Sequence, residues 1–269
     1  MRLACTLAVV FFLLAYPPFV SSQNFARTAK REETVRVIEP PLGKIVVGEH
    51  FLYTVRWMGI PVGHASLEVK EETESEGHPA YHIVAQARSN KFLSAFYPLE
   101  DTIHTYVNSD GALFSWRYLK NQKEGRYRAD EEMLFQHDEG KARYHSFLNG
   151  STKWFEIPHG IHDPLSAFYA FRLMTVEPGE LVHLDVCSDE KNWVVELKVG
   201  DTQEVELRRM GSVDCFEVEP IAHFKGILVD RGRVWVTFTA DERRVPVLFR
   251  VETPWGVVTG TIKKAGSFP

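Results

Sequence analysis

The sequence predicts an all-β fold, a large antiparallel curved sheet or partly open barrel with one principal helix. Three observations carry this prediction. Apolar and polar residues alternate with period two along most of the chain, turn residues cut the alternation into short runs, and one stretch, opened by Asp163 and Pro164, changes to helical spacing. A chain of 269 residues with these features is compatible with one all-β domain that buries a large core.

The N-terminus precedes this pattern. Arg2, an apolar run from Leu3 to Phe19, and then Val20, Ser21 and Ser22 have the order of a secretory signal peptide, residues 1–22, with cleavage expected after Ser22. Cys5 does not fit a lipidation site, because the apolar run follows it. Residues 23–47, with dispersed charges and the Pro40-Pro41 pair, are predicted to form a flexible tether, and residues 48–269 a single β-rich domain.

Phe51, Tyr53, Val55 and Trp57 share one strand face, and Ala65, Leu67 and Val69 share another after a turn predicted at Gly59-Ile60-Pro61. Tyr81, Ile83, Ala85 and Ala87 repeat the alternation. A short helical turn is expected from Asn90 to Phe96. Further strands are expected near Thr102, Ala112, Tyr127, Ala142 and Thr152, divided by Asp110-Gly111, Glu139-Gly140 and Asn149-Gly150. In the second half Trp193, Val195, Leu197 and Val199 lead to a turn predicted at Gly200-Asp201, followed by Val205 and Leu207. Val234, Val236 and Phe238 continue the pattern, and the last hairpins turn at Asp241-Glu242 and near Pro254. Roughly fifteen strands at this spacing suit a barrel or a strongly curved sheet.

The principal helix starts at Asp163, an N-cap acceptor, followed by Pro164, whose missing N–H costs nothing at the first helical position. Leu165, Phe168, Tyr169 and Arg172 fall at helical spacing, Phe171 and Leu173 widen the apolar surface, and Pro178-Gly179 ends the segment. Such a helix is expected to plug the barrel or cover its opening. As a cap alone, Asp163 predicts a loss of about 1 kcal/mol on replacement by Ala.

Composition excludes several classes of function. Loss of the first 22 residues removes one charged side chain, Arg2, leaving 30 basic against 36 acidic side chains and a net charge of −6. The basic residues are dispersed, so no stripe tracks a phosphate backbone, and nucleic acid is not an expected partner. No later apolar stretch reaches membrane-spanning length, so no transmembrane anchor is expected after cleavage. Cys187 and Cys215 remain after cleavage. An even pair in an oxidising compartment predicts a Cys187–Cys215 disulfide, two small buried thiols being the alternative.

No residue set specifies a catalytic site, a metal or a cofactor. His183, Asp185 and Cys187 share a strand face, but the outer two Cα atoms are then roughly 13 Å apart, too far for one flat strand to wrap an ion. His159, His162 and Asp163 cluster before the helix, but Asp163 serves as its cap, and no third ligand at metal spacing or nucleophile lies nearby. Glu217 and Glu219 have the spacing of any i, i+2 pair. There is no nucleophile elbow, phosphate loop, H-E-x-x-H or C-x-x-C motif.

Three stretches carry a family resemblance: VGEHFLYTVRWMGIPVGHASLEV, DPLSAFYAFRLMTVEPGE and GRVWVTFTADERRVPVLFRVETPWGVVTGTI. Together they resemble a bacterial envelope family known as domain of unknown function 3108, in order from Gly48 to Lys263. The marks of the resemblance are the Gly-Glu start with Tyr53, the Gly59 and Gly63 turn, the Asp163-Pro164 helix, and the hairpin with Trp235, Asp241, Arg244 and Pro246. At the level of fold the family is similar to periplasmic lipoprotein-localisation carriers and spiral-barrel envelope-integrity proteins. That similarity implies an apolar cavity with a helix across its opening.

The expectation is a secreted, periplasmic, non-enzymatic protein. It is expected to bind an amphipathic lipid or lipoprotein acyl group in support of envelope assembly, with Phe168, Tyr169 and Phe171 bordering the ligand. The alternative is a non-catalytic scaffold that binds an envelope protein or glycan; a secreted hydrolase ranks third.

Overall fold

In the computed structural model, residues 45–266 are described, apart from 208–210, 225–226 and 229–232. The predicted signal peptide and most of the tether lie outside the described residues. Ile45 is buried in the common apolar core, so the domain extends at least three residues before the expected start at Gly48.

The strands are β1 (His50–Trp57), β2 (Ile60–Ser75), β3 (His78–Ser89), β4 (Leu99–Asn108), β5 (Ser115–Glu124), β6 (Tyr127–Gln136), β7 (Lys141–Ser146) and β8 (Thr152–Glu156). They continue with β9 (Leu181–Ser188), β10 (Lys191–Leu207), β11 (Gly211–Phe224), β12 (Ile227–Leu228), β13 (Val234–Thr239), β14 (Pro246–Thr253) and β15 (Gly256–Gly266). All fifteen belong to one sheet, in the order β8-β7-β6-β5-β4-β3-β2-β1-β15-β14-β13-β11-β10-β9, with β12 paired to β11. Each ladder between these strands is antiparallel. The first strand pairs with the last, Tyr53 opposite Ile262, while β8 and β9 remain as edges, so the barrel is open.

The seam between those edges is filled without a strand ladder. His162, in the connection after β8, forms a parallel bridge with Val186 of β9; Cys187 N–H donates to its carbonyl at 2.7 Å. Buried Lys120 on β5 reaches Glu131 at 2.9 Å and, across the seam, Asp189 at 3.0 Å. These contacts satisfy backbone and charged groups that an exposed edge would leave to water.

Two helices are described. The short α1 (Lys91–Ser94) is capped by Asn90, whose Oδ1 accepts from Leu93 N–H at 2.9 Å. The principal helix α2 (Pro164–Leu173) is buried on nearly all sides, with Phe168 and Leu173 half-exposed. It plugs the interior rather than lying on it. Two glycines allow the sheet to close tightly around this core. A Cβ at Gly63 would sit 2.3 Å from the Arg88 carbonyl oxygen, and one at Gly260 would enter the ring of buried Phe249. Neither close approach tolerates a side chain.

Three expectations need correction. The first hairpin turns at Met58-Gly59, both with positive φ (49° and 83°), so Ile60 and Pro61 already belong to β2. Gly200-Asp201 is a bulge within the continuous strand β10, where the register to β11 shifts between Val199 and Thr202. The Cys187–Cys215 disulfide is absent; both thiols are free and buried. Strand β10 separates them, with Cys187 opposite Asn192 and Cys215 opposite Gln203. Those positions lie about 35 Å apart along the strand, far beyond the reach of a disulfide.

Candidate functional site

The candidate site is built around α2, whose two ends are anchored by different chemistry. At its N-terminus Asp163 is fully buried. One carboxylate oxygen accepts from the N–H groups of Leu165 at 2.7 Å and Ser166 at 3.0 Å. The other accepts from the hydroxyls of Thr105 on β4 and Ser115 on β5. Ser115 Oγ in turn accepts from the N–H of Asp163 at 2.7 Å and lies 2.7 Å from Ser166 Oγ. The cap therefore also locks the helix to two strands.

Burial raises the Asp163 carboxyl above its ordinary range, opposed by hydrogen bonds from Ser115, Thr105, Ser166 and Leu165. Burial likewise holds His162 down to about 4, so its ring is neutral. Ser115, His162, Asp163 and Ser166 bring together residue types used in hydrolysis, but all four are covered by protein and mutually bonded. Their arrangement positions a helix and presents no nucleophile to a substrate.

At the other end Arg172 forms a bidentate pair with Glu49, at 2.6 and 2.9 Å, with both side chains buried. Its remaining donors reach the carbonyls of Arg243 and Arg244, each at 3.1 Å. The guanidinium lies 5.0 Å over Phe51 and 5.1 Å over Tyr169. Arg244 donates to the carbonyls of Phe171 and Met174, placing a cation at the helix C-terminus. Tyr53 donates to the Pro246 carbonyl at 2.8 Å. Thus Glu49, Tyr53, Arg244 and Pro246, which are distant in sequence, meet around the end of one helix.

Between α2 and the inner face of β9, β10, β11 and β13 lies an apolar pocket. Pro164, Ala167, Phe168 and Phe171 form its helical wall, and branched aliphatic side chains such as Val186, Val195 and Val236 form much of the opposite wall. Its cavity measures about 50 Å³, room for a few water molecules, and the space widens to about 620 Å³ when the open mouth is counted. Phe168 and Phe171 pack against Phe238, with ring centroids 5.6 and 5.5 Å apart. Phe168 is half-exposed and borders the mouth, as do Pro220 and Val234.

A profile described as a protein of unknown function, DUF3108, matches residues 52–263. The chain belongs to the DUF3108 family. Among curated proteins no sequence matches it. Among solved structures, a β-barrel-like protein of domain of unknown function DUF1849 from Brucella abortus is similar, with TM-score 0.55 and 10% identity over 84% of this chain and all of that one. A putative exported protein with a YmcC-like fold from Bacteroides fragilis aligns with TM-score 0.30 and 8% identity over 85% of this chain and all of that one.

Of the three residues expected to border a ligand, the DUF3108 fold places Phe168 and Phe171 in the pocket. Tyr169 is not part of that wall; one helical step turns its ring to the opposite side, beneath Arg172. Thr105 and Ser115 escaped the sequence reading because each is an isolated polar residue in a strand, and Glu49, just before β1, stood out only as part of the Gly-Glu start, with no partner assigned. One signal was available: Arg172 on an otherwise apolar helix requires a buried acidic partner. Among the described residues, no group of three or more His, Cys, Asp or Glu side chains could hold a metal ion. No described helix is long and apolar enough to cross a membrane.

The DUF3108 interior also holds a carboxylate pair. Asp101 on β4 and Glu124 on β5 are buried on either side of Gln122, whose amide lies 3.5 and 3.4 Å from them. Burial, reinforced by Asp101, pushes the Glu124 carboxyl up to about 9. A raised folded-state value means that the folded protein binds more protons than the unfolded chain. The resulting stability is present at low pH and lost as pH rises above the ordinary carboxylate range towards 9. Glu124→Gln, a neutral isostere, should therefore gain stability relative to wild type at pH 8 and change little at pH 5. Denaturant midpoints at both pH values test this. One proton limits the slope to about 1.4 kcal/mol per pH unit, and an unchanged slope in the variant would exclude Glu124 as its source.

Proposed function

We propose that this DUF3108 protein is a secreted, non-catalytic envelope protein of the periplasm that binds one slim apolar chain, the acyl group of a lipid or lipoprotein, beside α2. The observation that carries the reading is the pocket wall, which is apolar throughout and contains no charged side chain. Such a wall gives a hydrocarbon chain favourable burial and offers a headgroup no partner, so the headgroup remains at the mouth near Phe168. The narrow cavity selects against bulky ligands. Entry of a chain requires Phe168 to swing outward, and its half-exposed position leaves room for that motion.

Native mass spectrometry of the full chain with a fatty acid or an acylated peptide tests the proposal. Wild type should carry one adduct, Phe168→Ala should bind more readily, and Ala167→Phe should lose binding while its unfolding transition remains cooperative. Absence of an adduct in both wild type and Phe168→Ala would overturn the carrier reading. The second reading, a scaffold for an envelope protein or glycan, is favoured by one observation: outside the narrow cavity, the buried apolar side chains form one packed cluster.

A further inference from the structure

Six of the twelve large apolar side chains exposed among the described residues gather at one end of the barrel. Met58 is 63% exposed, Phe96 61%, Phe92 57%, Ile60 50%, Tyr127 49% and Trp255 40%. Four adjoining tips carry them. The β1–β2 turn meets the β14–β15 turn where Trp57 Nε1 donates to the Trp255 carbonyl at 3.1 Å. It meets α1 where Asn90 donates to the carbonyls of Pro61 at 2.8 Å and Val62 at 2.7 Å. The segment after α1 meets the β5–β6 turn where Gly125 N–H donates to the Pro98 carbonyl at 2.8 Å. The tips therefore form one continuous rim.

The charge of this rim differs from that of the chain. Across residues 57–62, 90–98, 124–128 and 253–256 the basic side chains are Lys91, Arg126 and Arg128, all exposed. The one carboxyl group is Glu124, which is buried beside Asp101 and held in its neutral form. Among the described residues none of the three cations has an acidic partner within ion-pair distance. Exposed aromatic rings interleaved with unpaired cations match the boundary of a bilayer, where rings enter the headgroup region and cations meet phosphate. A protein partner of ordinary composition would require acidic groups at matching positions, whereas an anionic lipid surface supplies them everywhere.

We propose that this rim, formed by the β1–β2 turn, α1, the β5–β6 turn and the β14–β15 turn, docks reversibly on an anionic lipid surface. Docking places apolar tips in the interfacial layer with Lys91, Arg126 and Arg128 against lipid phosphates. The proposal is independent of what the interior pocket binds, although Pro220 and Val234 at the pocket mouth point the opening toward the same end of the sheet.

Hydrogen–deuterium exchange of the full chain, with and without vesicles of phosphatidylglycerol and phosphatidylethanolamine, reads the docking segment by segment. Vesicles should protect peptides covering residues 57–62, 90–98 and 124–128, with the protection reduced at high salt and absent with phosphatidylcholine vesicles. The Phe92→Ser/Phe96→Ser variant should lose most of this protection, and Arg126→Glu/Arg128→Glu should lose it on anionic vesicles. Circular dichroism confirms that both variants keep the wild-type fold. Protection confined to residues 1–22, equal protection by both vesicle types, or protection of the rim unaltered in both variants would overturn the proposal.

Discussion

Arg172→Met is expected to destabilise the fold by about 3–5 kcal/mol, because it leaves Glu49 buried without its cation. The side chain it removes makes two bonds to a carboxylate and two to backbone carbonyls, so little of the loss can be recovered by water. Glu49→Leu should cost a similar amount for the mirror reason. The double variant Glu49→Leu/Arg172→Met should be far less damaged than the sum of the two, since two hydrophobic side chains replace two charges that were desolvated only to meet each other. Denaturant unfolding gives the comparison through the midpoint at constant slope. Single variants within about 1 kcal/mol of wild type would show that the pair is solvated and does not hold the end of α2.

Asp163→Ala is expected to cost about 3–5 kcal/mol, well above the value of about 1 kcal/mol that a cap alone predicts. The difference comes from the groups left behind: two helix N–H donors and the hydroxyls of Thr105 and Ser115 lose their shared acceptor inside the protein. Asp163→Asn should fall between, because its carbonyl oxygen still caps the helix while its amide can donate to hydroxyls that rotate to accept. Unfolding midpoints of both variants decide the matter. A cost of about 1 kcal/mol for Ala would mean that the strands contribute nothing to this anchor and that the cap accounts for it all.

These two anchors show how far the site was legible in the chain. Asp163 followed by Pro164 marks a helix start from two adjacent residues, because the backbone requirement it meets is local. Its hydroxyl partners are 58 and 48 residues away, and nothing in the strand pattern around Thr105 or Ser115 distinguishes them from other polar strand residues. The same limit applies to Phe168, Tyr169 and Phe171. Helical spacing places all three on a broad apolar surface, and the packing of two different sheet regions against α2 decides that Phe168 and Phe171 face the pocket while Tyr169 faces Arg172.

By itself the sequence determined the all-β class, the curved sheet with one principal helix, most of the turns and the start of that helix. Each follows from alternation over a few residues or from the φ, ψ demands of Gly, Pro and Asp, which act over short range. Tertiary structure alone decided which strands adjoin, that Gly200 is a bulge, that β10 separates Cys187 from Cys215, and that Glu49 meets Arg172 across 123 positions of chain. Period two tells which residues share a face of a strand and carries no label for the strand beside it. Partner choice belongs to the packing of the whole sheet around α2, where burial selects the arrangement that pairs Arg172 with Glu49 and gives Asp163 the hydroxyls of Thr105 and Ser115.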